Sequence, residues 1–269
     1  MDPDVSTLTL AVLQQASTPG DVSANLRALD AAAGAAAERG AALLITPEMF
    51  LSGYAIGDDI PRIAAANPLE QVREIARRHR IALIAGGPEQ VTGPDGTAVH
   101  NAAWFLDEDG RVLARHHKIQ LFGDLDRRYF TPGRRARTLV RHRGFTIALL
   151  ICFDVEYPEA ARAAALSGAD LIAVPTAQME PFSFVNDHVV RVRAWENSVY
   201  VAYVNQIGRD GEFEYVGRSV VADPFGRHLA EAGRDDRALL FAQLDKGVIE
   251  RARAQNPYLA EVRSELYRQ

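Results

Sequence analysis

Apolar residues recur along the 269-residue chain in two rhythms that take turns. Short aliphatic runs read as strands: "TLTLAVLQ" (7–14), "AALLIT" (41–46), "IALIAGG" (81–87), "ADLIAVPT" (169–176), "VYVAYVNQ" (199–206) and "ALLFAQLD" (238–245). Between them the spacing changes to that of a helix. Val22, Leu26, Leu29, Ala33 and Ala36 make one stripe, opened by Asp21 as cap and closed by Gly40. The alanine run inside it favours a packed helix, because alanine is the best helix former. A second stripe holds Leu69, Val72, Ile75 or Ala76, and His79. "AAWFLDEDGRVLARHHK" predicts a hairpin turning at Asp109-Gly110, and "TLVRHRGFTIALLIC" another turning near Arg143-Gly144. A helix is expected from Pro158 through Leu166, with proline tolerated in its first turn. "FSFVNDHVVRVRAWENS" predicts a helix with Val185, Val189 and Val192 inward, and "RSVVADPFGRHLAEAG" two strands joined at "DPFG".

No linker rich in proline, glycine or serine interrupts this order. One continuous α/β domain over 1–269 is expected, with a mixed sheet or two sheets and helices outside. The polar segment from about 250 to 269 is expected to be a terminal helix and a tail that contacts another subunit.

Composition narrows the choice of function. The chain is 48% hydrophobic and 24% charged, an ordinary globular balance. Its net charge of -5 and pI of about 5.8 argue against a nucleic-acid partner, and the arginines of "DRRYFTPGRRARTLVRHRG" read as solvated surface. One cysteine permits no intrachain disulfide. The N-terminal stretch carries acids where a signal peptide has bases, and no apolar run is long enough for a membrane span. A cytoplasmic protein is expected.

Three separated stretches can carry chemistry. In "LLICFDVEYPE" Cys152 stands where an aliphatic strand ends and a helix is about to begin. Backbone N–H groups there are expected to lower its pKa and to bind an oxyanion; the competing reading is a small hydrophobe in the core. In "LLITPEMFLSGYAIGD" Glu48 follows a strand and a proline beside Met49 and Phe50. Partial desolvation would raise its pKa toward that of a general base, against the alternative of a carboxylate facing water. In "ARHHKIQLFGDLDRRYFTPG" Lys118 could hold an oxyanion or lie at the surface. His116 and His117 point to opposite faces of a strand, a poor joint metal site, and no second cluster has zinc spacing.

Taken in this order, "TPEMFLSGY", "HHKIQLFG" and "LLICFDVEYPE", with "VYVAYVNQIG" and "VVADPFG" further on, resemble the nitrilase superfamily of carbon–nitrogen hydrolases over essentially the whole chain. "LFGDLDR", "VPTAQMEPFSF" and "NPYL" are closest to its short aliphatic amidase branch, those like 5-aminopentanamidase and the R-stereoselective amidases. The resemblance implies a four-layer αββα sandwich, a Glu48–Lys118–Cys152 triad, no cofactor or metal, and a homodimer or larger assembly. Glu48 would take the Cys152 proton, the thiolate would attack an amide carbonyl, and Lys118 with Phe153 N–H would hold the oxyanion. Where many members of that family carry a second glutamate after the lysine this chain has Asp124, one methylene shorter. Asp124 is expected to fill that role, with Asp126 as the alternative.

For the substrate, Tyr54, Tyr157 and Met179 in the "TAQMEPF" loop are candidates to line a pocket for a modest aliphatic chain. Glu156 or Glu180 could meet a terminal amine. Arg193, Glu196 and Asn197 are read as scaffold. The expected activity is hydrolysis of small aliphatic primary amides, including ω-amino amides. The rivals are a nitrilase, an N-carbamoyl amine hydrolase, a non-catalytic binding scaffold and a redox thiol.

Overall fold

The computed structural model of the chain describes residues 6–94 and 96–266. Its strands build two six-stranded mixed sheets. The first holds β1 (Thr7–Gln14), β2 (Leu43–Ile45), β3 (Ala82–Gly93), β4 (Gly96–Leu106) and β5 (Val112–His117) in that order. The second holds β6 (Leu139–His142), β7 (Phe145–Leu149), β8 (Leu171–Pro175) and β9 (Tyr200–Val204). After a small ribbon of β10 (Arg209–Asp210) and β11 (Phe213–Glu214) it is completed by β12 (Val220–Ala222) and β13 (His228–Glu231). The chain then returns to the first sheet, where β14 (Ala238–Asp245) runs antiparallel beside β1. Each sheet has a parallel centre, β1–β2–β3 in one and β7–β8–β9 in the other.

Strand alternation explains why these runs are apolar throughout. Leu43, Ile45, Ile84 and Leu10 face Ile147, Leu149, Leu171 and Ala202 across the gap between the sheets. The intervening Leu44, Leu83 and Ala11 face α1 (Val22–Glu38) and α3 (Leu69–His79), separated in sequence by α2 (Asp59–Ala66). On the far side Ala148, Ile172 and Val201 face α5 (Pro158–Leu166) and α6 (Val190–Asn197), which follow α4 (Gly123–Tyr129). Both faces of each sheet are therefore covered, and each fully buried aliphatic side chain contributes on the order of 2 kcal/mol over an exposed one. This is the expected αββα sandwich.

Both predicted hairpins form, and Arg143 and Gly144 turn the second with φ of 44° and 79°. Asp21 caps α1 by accepting Ala24 N–H. Three expectations need correction. The buried stripe of α1 runs through Asn25, Leu29, Ala33 and Ala36, leaving Val22 and Leu26 half-buried. Val192 points to solvent rather than inward. A π-helical turn over Val185–Val189 inserts one residue and advances the phase, so Val190, Arg193, Ala194 and Asn197 are buried instead. The strand seen in "IALIAGG" runs on to Gly93 and pairs with β4 over its whole length. The C-terminal region holds α7 (Lys246–Gln255) and α8 (Tyr258–Glu261); the expected tail reaches 269, and its last three residues lie outside the described ones.

Candidate active site

The candidate side chains all leave strands at the same end of the sandwich. Glu48 follows β2, Lys118 directly follows β5, and Cys152 follows β7. Two of these exits are conformationally constrained. Among the described non-glycine residues with positive φ, Asn67, Arg80 and Ser198 end helices and Arg143 turns a hairpin, whereas Met49 (53°), Cys152 (44°) and Arg218 (52°) do neither. Such a backbone costs on the order of 1–3 kcal/mol and persists only where the surroundings hold it. Around Glu48 they do. A Cβ on Gly86 would lie 2.6 Å from Pro47 O and 2.8 Å from Met49 N, so only glycine lets β3 pass this turn. Glu48 N–H donates to Thr176 O at the end of β8, and Gln206 Nε2 donates to Glu48 O, which joins the two sheets at the site.

The side chains meet in a buried cluster. Lys118 Nζ donates to Glu48 Oε1 at 2.8 Å and to Asp126 Oδ2 at 2.7 Å. Asn101 Nδ2 donates to the same Glu48 oxygen at 2.7 Å. Glu48 Oε2 has no partner among the described residues. The thiol of Cys152 lies 3.7 Å from Gln178 Oε1 and is itself buried. Asp154, two residues on, is fully buried and accepts the N–H groups of Ile119 and Gln120.

Asp124 is not in this cluster. It is fully exposed on α4, with Arg127 at 3.8 Å, while Asp126 is fully enclosed. The two residues are about 200° apart on a helix that starts at Gly123 (φ 65°), so they face opposite ways. Asp126 is held by Tyr54 O–H (2.7 Å, to Oδ1) and by Phe122 N–H (3.0 Å, to Oδ2). Tyr54 thus steadies a carboxylate from behind and is not a free wall of the pocket. Met179 is buried in a cluster with Met49, Tyr54 and Tyr215. Tyr157 is exposed and stacks edge-on against Phe153, which meets Phe122 in the same way, and Phe122 meets Phe182.

Electrostatics separate the roles. Burial raises the Glu48 carboxyl above its ordinary pKa, and the nearby charge of Asp126 adds to this against the opposing Lys118 ammonium. Burial works against the Lys118 ammonium, yet Glu48, followed by the other groups around it, outweighs that and holds its pKa well above the lysine range. Burial also pushes the Cys152 thiol far up, and Glu48's charge pushes it further, with Lys118 only a partial counterweight. This reverses the expectation of a thiol acidified by backbone N–H groups. The turn after Cys152 is a single 3₁₀ turn over Cys152–Glu156, too short for a helix dipole, and α5 starts only at Pro158. Phe153 N–H is one of the first N–H groups of that turn, which have no acceptor within it.

Neither histidine is placed as a metal ligand. His116 faces Thr138 and Asp154, His117 faces Glu89, and no group of three or more potential ligands is assembled among the described residues. Of the two carboxylates considered for an amine, Glu180 is paired with Arg234. Glu156 is half-buried, and burial raises its pKa. Arg193 makes no ion pair with it, since its guanidinium goes to the Val155 and Glu156 carbonyls and the Glu196 carboxylate. A Gln178 hydrogen bond, with the charges of Lys118 and Arg193, only partly offsets burial.

Residues 9–254 match the carbon-nitrogen hydrolase family. The chain belongs to that family. It is 41% identical over 267 residues to a hydrolase in the pqqF 5' region of Pseudomonas protegens, covering 98% of this chain and 92% of that one. It is 32% identical to an (R)-stereoselective amidase of a Pseudomonas species, with 95% and 92% covered. Among solved structures, an amidase from Nesterenkonia sp. superposes with a TM-score of 0.86 at 35% identity, covering 99% of this chain and 97% of the other. In a glutamate-to-glutamine variant of that amidase the active-site cysteine carries the acetamide moiety of fluoroacetamide. This carbon–nitrogen hydrolase therefore has amidases among its relatives in both sequence and structure, as the resemblance implied.

Proposed function

We propose that this chain hydrolyses small aliphatic primary amides to a carboxylic acid and ammonia through a thioester on Cys152. The observation that carries the reading is a buried carboxylate oxygen without a partner, Glu48 Oε2, at the end of the sandwich that presents the Cys152 thiol. The thiol is protonated at rest and needs a base; Glu48, with its raised pKa, is a matched one. Glu48 takes the thiol proton as sulfur attacks the amide carbon. Lys118 Nζ and Phe153 N–H hold the oxygen as it gains charge, and Asp126 keeps Lys118 in place. Glu48 then protonates the leaving amine, ammonia departs, and the same carboxylate activates the water that cleaves the thioester.

The test is ammonia release over a panel of aliphatic amides, ω-amino amides, carbamoyl amines and nitriles, with intact-mass detection of the acyl-enzyme. Acid and ammonia in equal amounts are expected from the amides, and none from Cys152→Ala. Nitrile consumption, or carbon dioxide beside ammonia, would move the assignment to the rival activities; turnover by Cys152→Ala sinks it. A binding scaffold or redox thiol would show no turnover at all.

Glu156 favours a finer reading within this one. A half-buried carboxylate with no ion-pair partner among the described residues would be matched by an acyl chain ending in an amine, with Phe153 and Tyr157 beside the methylenes. Glu156→Gln is expected to erase a preference for 5-aminopentanamide over pentanamide. We further place the protein in the cytoplasm, where its lone thiol stays reduced, as a homodimer or larger. Exposed Leu166, Val192 and Trp195 on α5 and α6 support an assembly, and sedimentation equilibrium measures it.

A further inference from the structure

Behind the reacting groups lies a carboxylate with a different task. Asp154 is fully buried, and each of its oxygens has two partners. Oδ1 accepts Ile119 N–H at 3.0 Å and Gln120 N–H at 2.8 Å. Oδ2 accepts Ile151 N–H at 3.0 Å and faces His116 Nε2 at 3.1 Å. Ile119 and Gln120 follow Lys118, and Ile151 precedes Cys152, so one side chain bridges the arm from β5 to the arm from β7. A carboxylate only accepts, so His116 donates to it from Nε2, and the other ring nitrogen, Nδ1, lies 3.0 Å from the Thr138 hydroxyl. His116 is itself wholly enclosed.

Resting on the amidase reading, we propose that Asp154, braced by His116, is a positioning residue that sets the separation of the Lys118 ammonium and the Phe153 N–H. These are the two donors an amide oxygen would meet, and they arrive from different sheets. An oxyanion needs its donors within about 2.7–3.1 Å of where it forms, so the separation of the arms matters more to the transition state than to the substrate. In Asp154→Asn the amide has one accepting oxygen. Its NH2 must face either Ile119 and Gln120 or Ile151 and His116, and one arm moves away.

The test joins kinetics to hydrogen–deuterium exchange. For Asp154→Asn on butyramide, kcat is expected to fall about 10²-fold with KM within about threefold, the pattern of a misplaced transition-state contact. One of the two segments, 119–120 or 151, is expected to lose exchange protection, the one that meets the amide NH2, while the other segment, β1 and β14 keep theirs. His116→Gln, which can still donate to Oδ2, is expected to lose less than about tenfold, and the double variant less than the product of the two. A kcat that falls only with the folded fraction, protection unchanged in both segments, or multiplying losses in the double variant would each overturn the proposal. If Asp154→Asn does not fold, His116→Phe keeps the carboxylate, removes the brace, and is read in the same way. A wild type that hydrolyses no amide fails the amidase reading first, and exchange then decides the bridge on its own.

Discussion

Glu48 and Asp30 are carboxylates with basic partners at the same distance, yet they titrate in opposite directions. Glu48 meets Lys118 at 2.8 Å inside the sandwich, where neither side chain is more than 1% exposed. Asp30, on the outer layer between α1 and α3, meets Arg78 at 2.9 Å and His79 at 2.8 Å with water around all three. Burial lifts the Glu48 pKa above its ordinary value, and the second carboxylate, Asp126, keeps it there despite the ammonium. Burial also works against Asp30, but His79 and Arg78 prevail and its pKa is lowered. The length of an ion pair therefore says little about its effect. Desolvation and the count of like charges decide it.

The largest expected effect breaks the buried pair at its base. Glu48→Gln keeps an oxygen for Lys118 and Asn101 and places its NH2 at the position of the unpartnered Oε2. Loss of the base should lower kcat by about 10³-fold. Stability should not fall with it. A carboxyl whose pKa is raised by folding adds a cost that is absent below its unfolded pKa and complete above its folded one. At neutral pH the neutral amide removes that cost, so a thermal melt should show an equal or higher midpoint. A clearly lower midpoint would mean that the Glu48–Lys118 attraction outweighs desolvation.

A smaller effect distinguishes the two aspartates of α4. Asp126→Asn removes the charge that grips Lys118 and is expected to lower kcat by about 10²-fold. It also removes one of the two influences that raise the Glu48 pKa. In the proposed mechanism Glu48 must be ionised, so the acid limb of kcat/KM, expected above the ordinary carboxylate pKa in the wild type, should shift to lower pH. Asp124→Asn should leave rate and pH profile unchanged. An unshifted limb in Asp126→Asn would show that the two carboxylates are not coupled through space.

That pair of aspartates marks where sequence reasoning stops. Both layers of strands were readable because strands covered on both faces are apolar throughout, and the three strand ends were readable because a carboxylate, an ammonium and a thiol each interrupt such a run. The choice between Asp124 and Asp126 depends on the helical phase fixed at Gly123, which no spacing from Lys118 reveals. Val192 was misplaced for the same kind of reason, a single π-helical turn. The outer ends of β3 and β4 went unseen because they project beyond the core and lack a buried face. Asn101 did leave a signal, as a lone amide at the head of the apolar run "AAWFL". Gln178 and Asp154 left none beyond their neighbourhood, since their partners come from distant strands.

The smallest expected effect lies on the exposed side of the comparison. Asp30→Asn leaves Arg78 and His79 free to turn into water, so nothing is stranded without solvation. The loss of unfolding free energy at neutral pH should be below about 1 kcal/mol, as for other pairs open to solvent. Because folding lowers the Asp30 pKa, its contribution is present above the unfolded value and disappears as pH falls through the folded one. Urea titrations should therefore separate wild type and variant slightly at neutral pH and converge in acid. They should also converge in about 1 M salt, where the screening length shrinks to about 3 Å. Turnover should not change under any of these conditions. A difference that persisted in acid and salt would mean that Asp30 holds α3 against α1 by shape and hydrogen bonding rather than by charge, and the contrast with Glu48 would then be one of packing, not of solvation.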